Sequence, residues 1–251
     1  MCSDCGCHHN KNHTVHNGER ALLKTAATTS TVINVHRSLL FENNQQAERN
    51  RKQLRQHNIT AINLMSSPGS GKTALLERTI DAFASRYRIA VIEGDLETEN
   101  DAKRIRAKGV TAIQITTGSA CHLDAEMVNS ALQQLDLEQI DLLFIENVGN
   151  LVCPASFDLG QHRNVTLLST TEGDDKPAKY PVIFRVADLM LITKCDLLPL
   201  LDDFDPQQAT DYFKAVSSCA PVIQLSSKSG MGIDGWLEWL ASHQTNKTTD
   251  A

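Results

Sequence analysis

The chain has 251 residues, of which 41% are hydrophobic, so it can form one α/β domain with extensions or at most two small domains. No apolar run approaches the roughly 18 residues that a membrane-spanning helix needs, and the polar N-terminus does not resemble a secretory signal. The net charge of -6 argues against nucleic acid as an electrostatically bound partner. We therefore expect a cytoplasmic protein with no membrane span and no nucleic-acid partner.

Residues 1–30 lack apolar periodicity and are rich in cysteine and histidine, which predicts a flexible metal-binding tail. Cys2, Cys5 and Cys7 are close enough in the chain for their thiolates to meet one ion, and Gly6 permits the tight turn. Together with the α-amino group, if the initiating methionine is removed, these thiolates suit Zn²⁺ or Ni²⁺. A redox dithiol or an unoccupied tail is the alternative interpretation.

Residues 31–245 are predicted to form the folded domain, and 246–251 a disordered C-terminus. The segment 31–57 has helical periodicity, as one long helix or two shorter ones. Apolar runs predict strands at 61–65, 89–92, 110–115, 142–145, 165–168, 189–193 and 222–225. Helical patterns follow at 74–85, 101–108, 123–135, 206–217 and 233–242. This alternation predicts an α/β fold with a mostly parallel sheet flanked by helices, in which ligands bind beyond the carboxyl ends of the strands.

A phosphate-binding loop is predicted between the first strand and the next helix. The loop is rich in small residues and ends in a Lys-Thr pair, and it runs Pro68, Gly69, Ser70, Gly71, Lys72 and Thr73. Backbone N–H groups of such a loop wrap a polyphosphate, Lys72 reaches the β- and γ-phosphates, and Thr73 binds Mg²⁺. Ser66 stands where the first glycine of the pattern usually is. Nucleotide binding is the prediction.

Two acidic residues at the ends of apolar runs are candidates for a role in nucleotide hydrolysis. Asp95 lies where it could join Thr73 at the magnesium or orient the attacking water. Glu146 ends a Walker B pattern, and Gly149 follows at the spacing of a switch loop whose amide senses the γ-phosphate. Thr73, Asp95 and Glu146 are therefore the predicted magnesium site. Lys72, Asp95 and Glu146 are the predicted catalytic residues, and the choice between the two acids as the group that activates water stays open.

Cys121, His122 and Cys153 lie in two loops that follow strands. Alone, each would more often be a buried structural residue. Together they are a candidate metal site with three protein ligands and an open fourth position. Cys195 and Cys219 are predicted to be core cysteines, and the remaining histidines to lie on the surface.

Two later loops predict that the nucleotide is GTP. Thr193-Lys194-Cys195-Asp196 is close to the Asn-Lys-x-Asp guanine motif, in which the aspartate accepts from guanine N1–H and the exocyclic amine, and the lysine stem packs on the base. Ser226, Ser227 and Lys228 match the loop whose backbone contacts guanine O6. Lys194, Asp196 and this last loop thus complete the predicted nucleotide-binding residues.

These residues together resemble the nickel-incorporation GTPases of NiFe-hydrogenase maturation, the HypB family, within the SIMIBI class of P-loop GTPases. The resemblance covers nearly the whole chain, and Ser66 is usual in that family. It is carried by Cys2-Ser3-Asp4-Cys5-Gly6-Cys7, the segment 63–73, Glu93-Gly94-Asp95, Cys121-His122, the segment 146–154 and Thr193-Lys194-Cys195-Asp196.

The resemblance implies GTP hydrolysis to GDP and phosphate, with Mg²⁺, and delivery of nickel to the hydrogenase large-subunit precursor. It implies a tight Ni²⁺ site in the tail and a second site at Cys121, His122 and Cys153 that binds Zn²⁺ or Ni²⁺ near a GTP-dependent homodimer interface. It also implies a HypA-type metallochaperone as a partner. We hypothesise a GTP-gated nickel switch; a urease-type accessory GTPase and a passive metal-buffering protein are the alternatives.

Overall fold

Seven parallel strands form a single sheet in the part of the chain that the computed structural model describes, residues 29–97, 99–217 and 219–244. In chain order they are β1 (Thr60–Ser66), β2 (Ile89–Asp95), β3 (Thr111–Thr116), β4 (Leu142–Glu146), β5 (Arg163–Ser169), β6 (Leu189–Thr193) and β7 (Val222–Gln224). The spatial order is β3-β2-β4-β1-β5-β6-β7. The predicted fold class is confirmed.

Helices cover both faces of this sheet. They are α1 (Thr29–Gln56), α2 (Lys72–Phe83), α3 (Asn100–Arg106), α4 (Ala125–Leu132), α5 (Lys176–Lys179), α6 (Pro181–Arg185), α7 (Pro206–Val216) and α8 (Ile233–Ser242). Short 3₁₀ segments lie at Leu137–Gln139, Cys153–Ser156 and Cys195–Leu200. The predicted tail up to residue 28, with Cys2, Cys5 and Cys7, and the C-terminal segment 246–251 lie outside the described residues.

The strands alternate their side chains between two apolar clusters, as a sheet covered on both faces requires. Leu64 of β1 packs in a cluster with Leu75 of α2 and Trp236 of α8. Ala61 of the same strand packs in the other cluster, with Leu54 of α1. All seven residues of β1 are buried, so its carboxyl end, where the phosphate loop begins, is held rigidly.

Several boundaries differ from the sequence-based prediction for physical reasons. β2 continues to Asp95 instead of ending at 92, because Glu93 interrupts the apolar run but stays paired with both neighbouring strands. The helix predicted from 123 begins at Ala125, because the Asp124 side chain accepts from Met127 N at 2.8 Å and caps it. Cys121 and His122 therefore remain in a loop. Helices α5 and α6, of four and five residues, are too short for periodicity to predict.

Two minor predictions are wrong. Cys195 is buried as expected, but Cys219 is exposed. His162 is half-buried, and its Nδ1 accepts from Ala61 N at 3.0 Å. Burial lowers the pKa of His162 to about 4, with the charges of Arg55, Arg51 and Arg163 acting in the same direction.

None of the helices in the described part of the chain is both long and hydrophobic enough to cross a membrane.

Candidate functional site

The phosphate loop joins β1 to α2 in the conformation that its small residues permit. Gly69 and Gly71 have φ of 76° and 94°, in the left-handed region that favours glycine. Lys72 opens α2, is buried, and donates from Nζ to Ser66 Oγ at 3.0 Å. Ser66 thus provides an acceptor for the lysine within the loop itself. Backbone N–H groups at the start of α2 and the lysine ammonium together form a binding site for a polyphosphate.

Thr73 and Glu146 are brought together as predicted. Thr73 Oγ1 donates to Glu146 Oε1 at 2.9 Å, and both side chains are buried at the carboxyl end of the sheet. Burial raises the pKa of Glu146 to about 7, against the opposing effects of Lys72 and Thr73. Glu146 Oε2 has no hydrogen-bond partner among the described residues. A hydroxyl and a carboxylate with an unpartnered acceptor oxygen are ligands that suit Mg²⁺.

Asp95 lies in a second acidic group beside this pair. Its carboxylate oxygens fall with those of Glu93 and Asp101 in a cluster whose ligand atoms are all within 4.8 Å of one another. Glu93 is 2% exposed, and burial, reinforced by the charge of Glu146, raises its pKa to about 8. Sequence reasoning missed Glu93 and Asp101 as site residues. A glutamate inside an otherwise apolar strand was the signal for Glu93.

The two guanine-motif loops meet beside the phosphate loop. They line a cavity of about 280 Å³ together with Ser70, Gly71 and Ala74; the loop residues are Thr193, Lys194, Asp196, Leu197, Ser226, Ser227 and Lys228. Thr193 Oγ1 donates to Ser70 O at 2.7 Å, which fixes this strand end to the phosphate loop. Ser226 Oγ donates to Asp196 Oδ1 at 2.6 Å and orients the carboxylate. Lys194 has a φ of 59°, an uncommon conformation for a residue with a side chain.

The loop after β5 contributes a residue that the sequence analysis did not consider. Glu172 Oε1 accepts from Ser70 Oγ at 2.5 Å and from Ser169 N at 3.1 Å. The carboxylate therefore holds the phosphate loop from the side opposite Glu146. The position of this loop at a strand end, next to β1 in the sheet, was the available signal.

Cys121, His122 and Cys153 form a compact group, with ligand atoms within 4.8 Å of one another. The two sulfur atoms are 3.0 Å apart and Cys121 Sγ is 3.9 Å from His122 Nδ1. The S–S separation exceeds the roughly 2.05 Å of a disulfide, so both side chains are thiols. The His122 ring stacks on Phe157 with centroids 3.9 Å apart, and burial lowers the pKa of His122. Two thiols and a neutral imidazole suit Zn²⁺ or Ni²⁺.

One loop connects the phosphate loop to this cluster. Gly149 lies so close to the phosphate loop that an added Cβ would be 2.8 Å from Pro68 Cα. Asn150 N donates to Ser66 O at 2.8 Å, and Asn150 Nδ2 donates to Cys121 O at 3.3 Å. Asn150 was not a predicted site residue, although it contacts both sites. Asn150 therefore connects the phosphate loop to the loop that carries Cys121.

Helix α1 supports the cluster from the other side. Ala125 N donates to Asn43 Oδ1 at 2.9 Å, and the buried Asn50 donates from Nδ2 to Ala125 O at 2.8 Å. These bonds fix the loop that carries Cys121 and His122 to the helix. A cavity of about 460 Å³ lies between α1 and His122. The long N-terminal helix therefore positions the cluster as well as covering the sheet.

Comparisons with known proteins agree with this geometry. Residues 59–224 match the family model described as CobW/HypB/UreG, nucleotide-binding domain. Hydrogenase maturation factor HypB of Azotobacter vinelandii is 52% identical over 84% of this chain and 69% of its own length. Hydrogenase/urease maturation factor HypB of Helicobacter hepaticus is 52% identical over 66% of this chain and 69% of its own. The crystal structure of HypB from Helicobacter pylori in complex with nickel superposes with a TM-score of 0.78, at 40% identity, over 84% of this chain and all of that one. This chain belongs to the HypB family of P-loop proteins, within the CobW/HypB/UreG group.

Proposed function

We propose that this protein is a GTP-hydrolysing, nickel-binding maturation factor that helps to deliver Ni²⁺ to the large-subunit precursor of a NiFe hydrogenase. The names of its relatives support hydrogenase maturation, and the nickel complex of the Helicobacter pylori relative supports nickel as the metal. The observation that carries the proposal is the loop from Gly149 to Cys153. It packs on the phosphate loop at one end and supplies a thiol to the candidate metal site at the other.

GTP is the proposed nucleotide because the carboxylate of Asp196 faces the cavity beside the phosphate loop. A carboxylate accepts from the N1–H and amino group of guanine, whereas adenine presents an acceptor at N1. Ser226 holds this carboxylate by a 2.6 Å hydrogen bond, which favours one orientation. Lys194, Ser227 and Lys228 line the same cavity and complete the proposed base site.

Hydrolysis is assigned to residues at the ends of β1, β2 and β4. Lys72 and the N–H groups of residues 68–73 would bind the β- and γ-phosphates, and Thr73, Asp95 and Glu146 would hold Mg²⁺. Bound Mg²⁺ would neutralise charge on the phosphate oxygens. Asp95 and Glu146 are both candidates for orienting the attacking water, since each carries a carboxylate at the strand ends where the γ-phosphate would lie.

Nickel is the proposed cargo of Cys121, His122 and Cys153, and Zn²⁺ is the other ion that this ligand set suits. The three groups leave a coordination position open, which a protein that hands on its metal requires. We propose that the tail site at Cys2, Cys5 and Cys7 belongs to a separate unit, 1–30, attached to a GTPase domain at 31–245. A HypA-type metallochaperone and a second copy of this chain, bound in a GTP-dependent way, are the proposed partners, and the cytoplasm the proposed compartment.

The decisive experiment measures hydrolysis and metal binding in the same preparation. We expect GTP hydrolysis to be lost in Lys72→Ala, and Ni²⁺ affinity to differ between the GDP form and the form with a non-hydrolysable GTP analogue. Native mass spectrometry in the two states would give metal identity, stoichiometry and oligomeric state. A passive metal-buffering protein would show neither hydrolysis nor a nucleotide-dependent affinity, and that result would refute the proposal.

A role in urease maturation is a second candidate, and the name of the Helicobacter hepaticus relative favours it. Deletion of the gene followed by assay of both enzymes in nickel-limited cells separates the two roles. We expect hydrogenase activity to fall and to be restored by added nickel. Loss of urease activity alone would favour the second candidate.

A further inference from the structure

A row of polar side chains crosses three strands under the nucleotide-binding face. Glu93 of β2 is in register with Gln114 of β3 on one side and with Glu146 of β4 on the other. Residues in register on parallel neighbours point to the same face of a sheet, so the three side chains project towards α2 and α3. Glu93 and Glu146 are 2% and 3% exposed. We call Gln114, Glu93 and Glu146 the polar row.

This row concentrates hydrogen-bonding capacity that the protein itself does not use. Six buried side-chain oxygen and nitrogen atoms in the described part of the chain have no hydrogen-bond partner, and four of them belong to the polar row. They are Oε2 of Glu93, Oε2 of Glu146, and both amide atoms of Gln114. An unpartnered buried polar group is destabilising, so native proteins provide such groups with water, an ion or a ligand.

The surroundings of the row determine which occupant it suits. Acceptor oxygens predominate when the carboxyl groups are ionised, which a bound cation favours, and Asp95 and Asp101 place further carboxyl oxygens within 4.8 Å of Glu93. Such a site favours a cation with oxygen ligands, and Mg²⁺ keeps several of its waters when a protein binds it. Those waters are donors directed outwards. They match the unpartnered oxygens of Glu93 and Glu146 better than a neutral ligand would.

We propose that Glu93 is a positioning residue for the hydrated divalent cation of the nucleotide site, and that its Oε2 accepts a hydrogen bond from a water of that cation. Gln114, the register partner of Glu93 on β3, supplies an amide that can hold the carboxylate or a second water. This inference rests on the proposed GTP and Mg²⁺ site, and it extends that site from Thr73, Asp95 and Glu146 to Glu93.

The test compares Glu93→Gln with Glu97→Gln, a matched change at an exposed glutamate of the following loop. Affinity for a fluorescent GDP analogue is measured as Mg²⁺ is varied, so the readout does not depend on hydrolysis. We expect Glu93→Gln to raise the half-saturating Mg²⁺ concentration by about 10-fold or more, the usual effect of removing a partner of a metal's own ligands. Affinity for GDP in EDTA should be unchanged, and Glu97→Gln should match the wild type.

A merely structural role for Glu93 gives the opposite pattern. In that case Glu93→Gln would weaken GDP binding equally with and without Mg²⁺, or would behave like Glu97→Gln, and either result overturns the inference. Thermal unfolding in EDTA reports folding of the variant. If Glu93→Gln does not fold, Gln114→Leu is measured in the same assay: a raised Mg²⁺ requirement supports the inference, and an unchanged one overturns it. Wild-type GTP hydrolysis and the Lys72→Ala control test the proposed function independently of this result.

Discussion

The two candidate cation sites of this protein lie close together in the chain and differ completely in their ligand chemistry. Glu146 ends a buried strand and pairs with the hydroxyl of Thr73 in the candidate oxygen site, whereas Cys153 lies seven residues later in a group of two thiols and an imidazole. Oxygen ligands suit Mg²⁺, and thiolate with imidazole suits Ni²⁺ or Zn²⁺. The ligands of the two candidate sites thus suit a hard and a soft cation respectively, and a single loop connects the two sites.

The supports of the two sites differ as well. In the oxygen site, Asp95 and Glu146 end strands that main-chain hydrogen bonds hold on both sides, which restricts their movement. The sulfur site is built on two loops, which the Asn150 side chain and helix α1 hold in place. A site whose ligands are held firmly suits a cation that stays bound as a cofactor. A site built on loops suits a cation that is carried and must be released. The predictions below test first whether the two sites bind their ligands independently and then whether the loop between them couples the two sites, from the largest expected effect on binding to the smallest.

Cys153→Ala should abolish tight metal binding at the sulfur site and leave the oxygen site intact. Removal of one of three ligands should lower Ni²⁺ affinity by about 100-fold or more, beyond the usual loss for an outer-shell partner. Isothermal titration with Ni²⁺ and with Mg²⁺·GDP measures both sites, in protein truncated before residue 29 so that the tail does not contribute. Weakened Mg²⁺·GDP binding in this variant would show that the two sites are not separate.

Thr73→Ala should weaken cation binding at the oxygen site and leave the sulfur site intact. Loss of the hydroxyl removes a cation ligand and the 2.9 Å bond to Glu146, so we expect Mg²⁺-dependent GDP affinity to fall by about 10-fold to 100-fold. Ni²⁺ affinity of the nucleotide-free protein should be the same as in the wild type. The control is Thr111→Ala, a change at an exposed threonine. Thr79→Ala would not serve, because Thr79 Oγ1 accepts a hydrogen bond from Trp236 in the core.

Asn150→Ala should weaken the coupling between nucleotide state and Ni²⁺ affinity, and it should leave the ligands of both sites in place. The change removes the 3.3 Å bond to Cys121 O and the 2.8 Å bond that Val152 N donates to Asn150 Oδ1. Only the first joins the two loops, and its loss, about 1 kcal/mol, corresponds to about a fivefold change in coupling. The quantity to measure is the ratio of Ni²⁺ affinities with GDP and with a GTP analogue. We expect this ratio to move towards one. Val152→Ala, an exposed change in the same loop, should leave it as in the wild type.

The last prediction concerns protein stability instead of ligand affinity, at mildly acidic pH and away from both sites. His162 has its pKa lowered to about 4 in the folded state, so below its ordinary value of 6.5 only the unfolded chain takes up the proton. Stability should therefore fall as the pH drops from 6.5 towards 4. His162→Asn keeps an acceptor for Ala61 N, and denaturant unfolding at several pH values should show a shallower decline. An unchanged slope would assign the acid sensitivity to other groups.

Most of the nucleotide site could be predicted from residue order alone. Gly69, Gly71, Lys72 and Thr73 act through local backbone conformation and helix geometry, and such effects depend only on neighbours in the chain. Asp196 and Ser226 were predicted because they match two guanine-binding motifs and lie in strand-end loops, which converge on one edge of a parallel sheet. The structure places them 2.6 Å apart although thirty residues separate them. The same rule brought together Cys121, His122 and Cys153.

Glu93, Asn150 and Glu172 could not be assigned in this way. Their roles depend on cross-strand register and on contacts between loops that are distant in sequence: Glu93 with Glu146, Asn150 with Cys121, and Glu172 with Ser70. A buried carboxylate and an exposed one have the same letter in the sequence, and only the packing around them decides between the two. Cys219 and His162 were misjudged for the same reason.

The sequence by itself determined the fold class, the phosphate loop, the guanine-motif residues and the ligand types of both cation sites, because these follow from local periodicity, turn chemistry and side-chain chemistry. Only the tertiary structure decided that the loop from Gly149 to Cys153 touches the phosphate loop and the cysteine cluster together. It also decided that acceptor oxygens of the polar row remain unpartnered beside the nucleotide site. Both outcomes depend on which strands become neighbours, and free energies of packing across the whole sheet set that order.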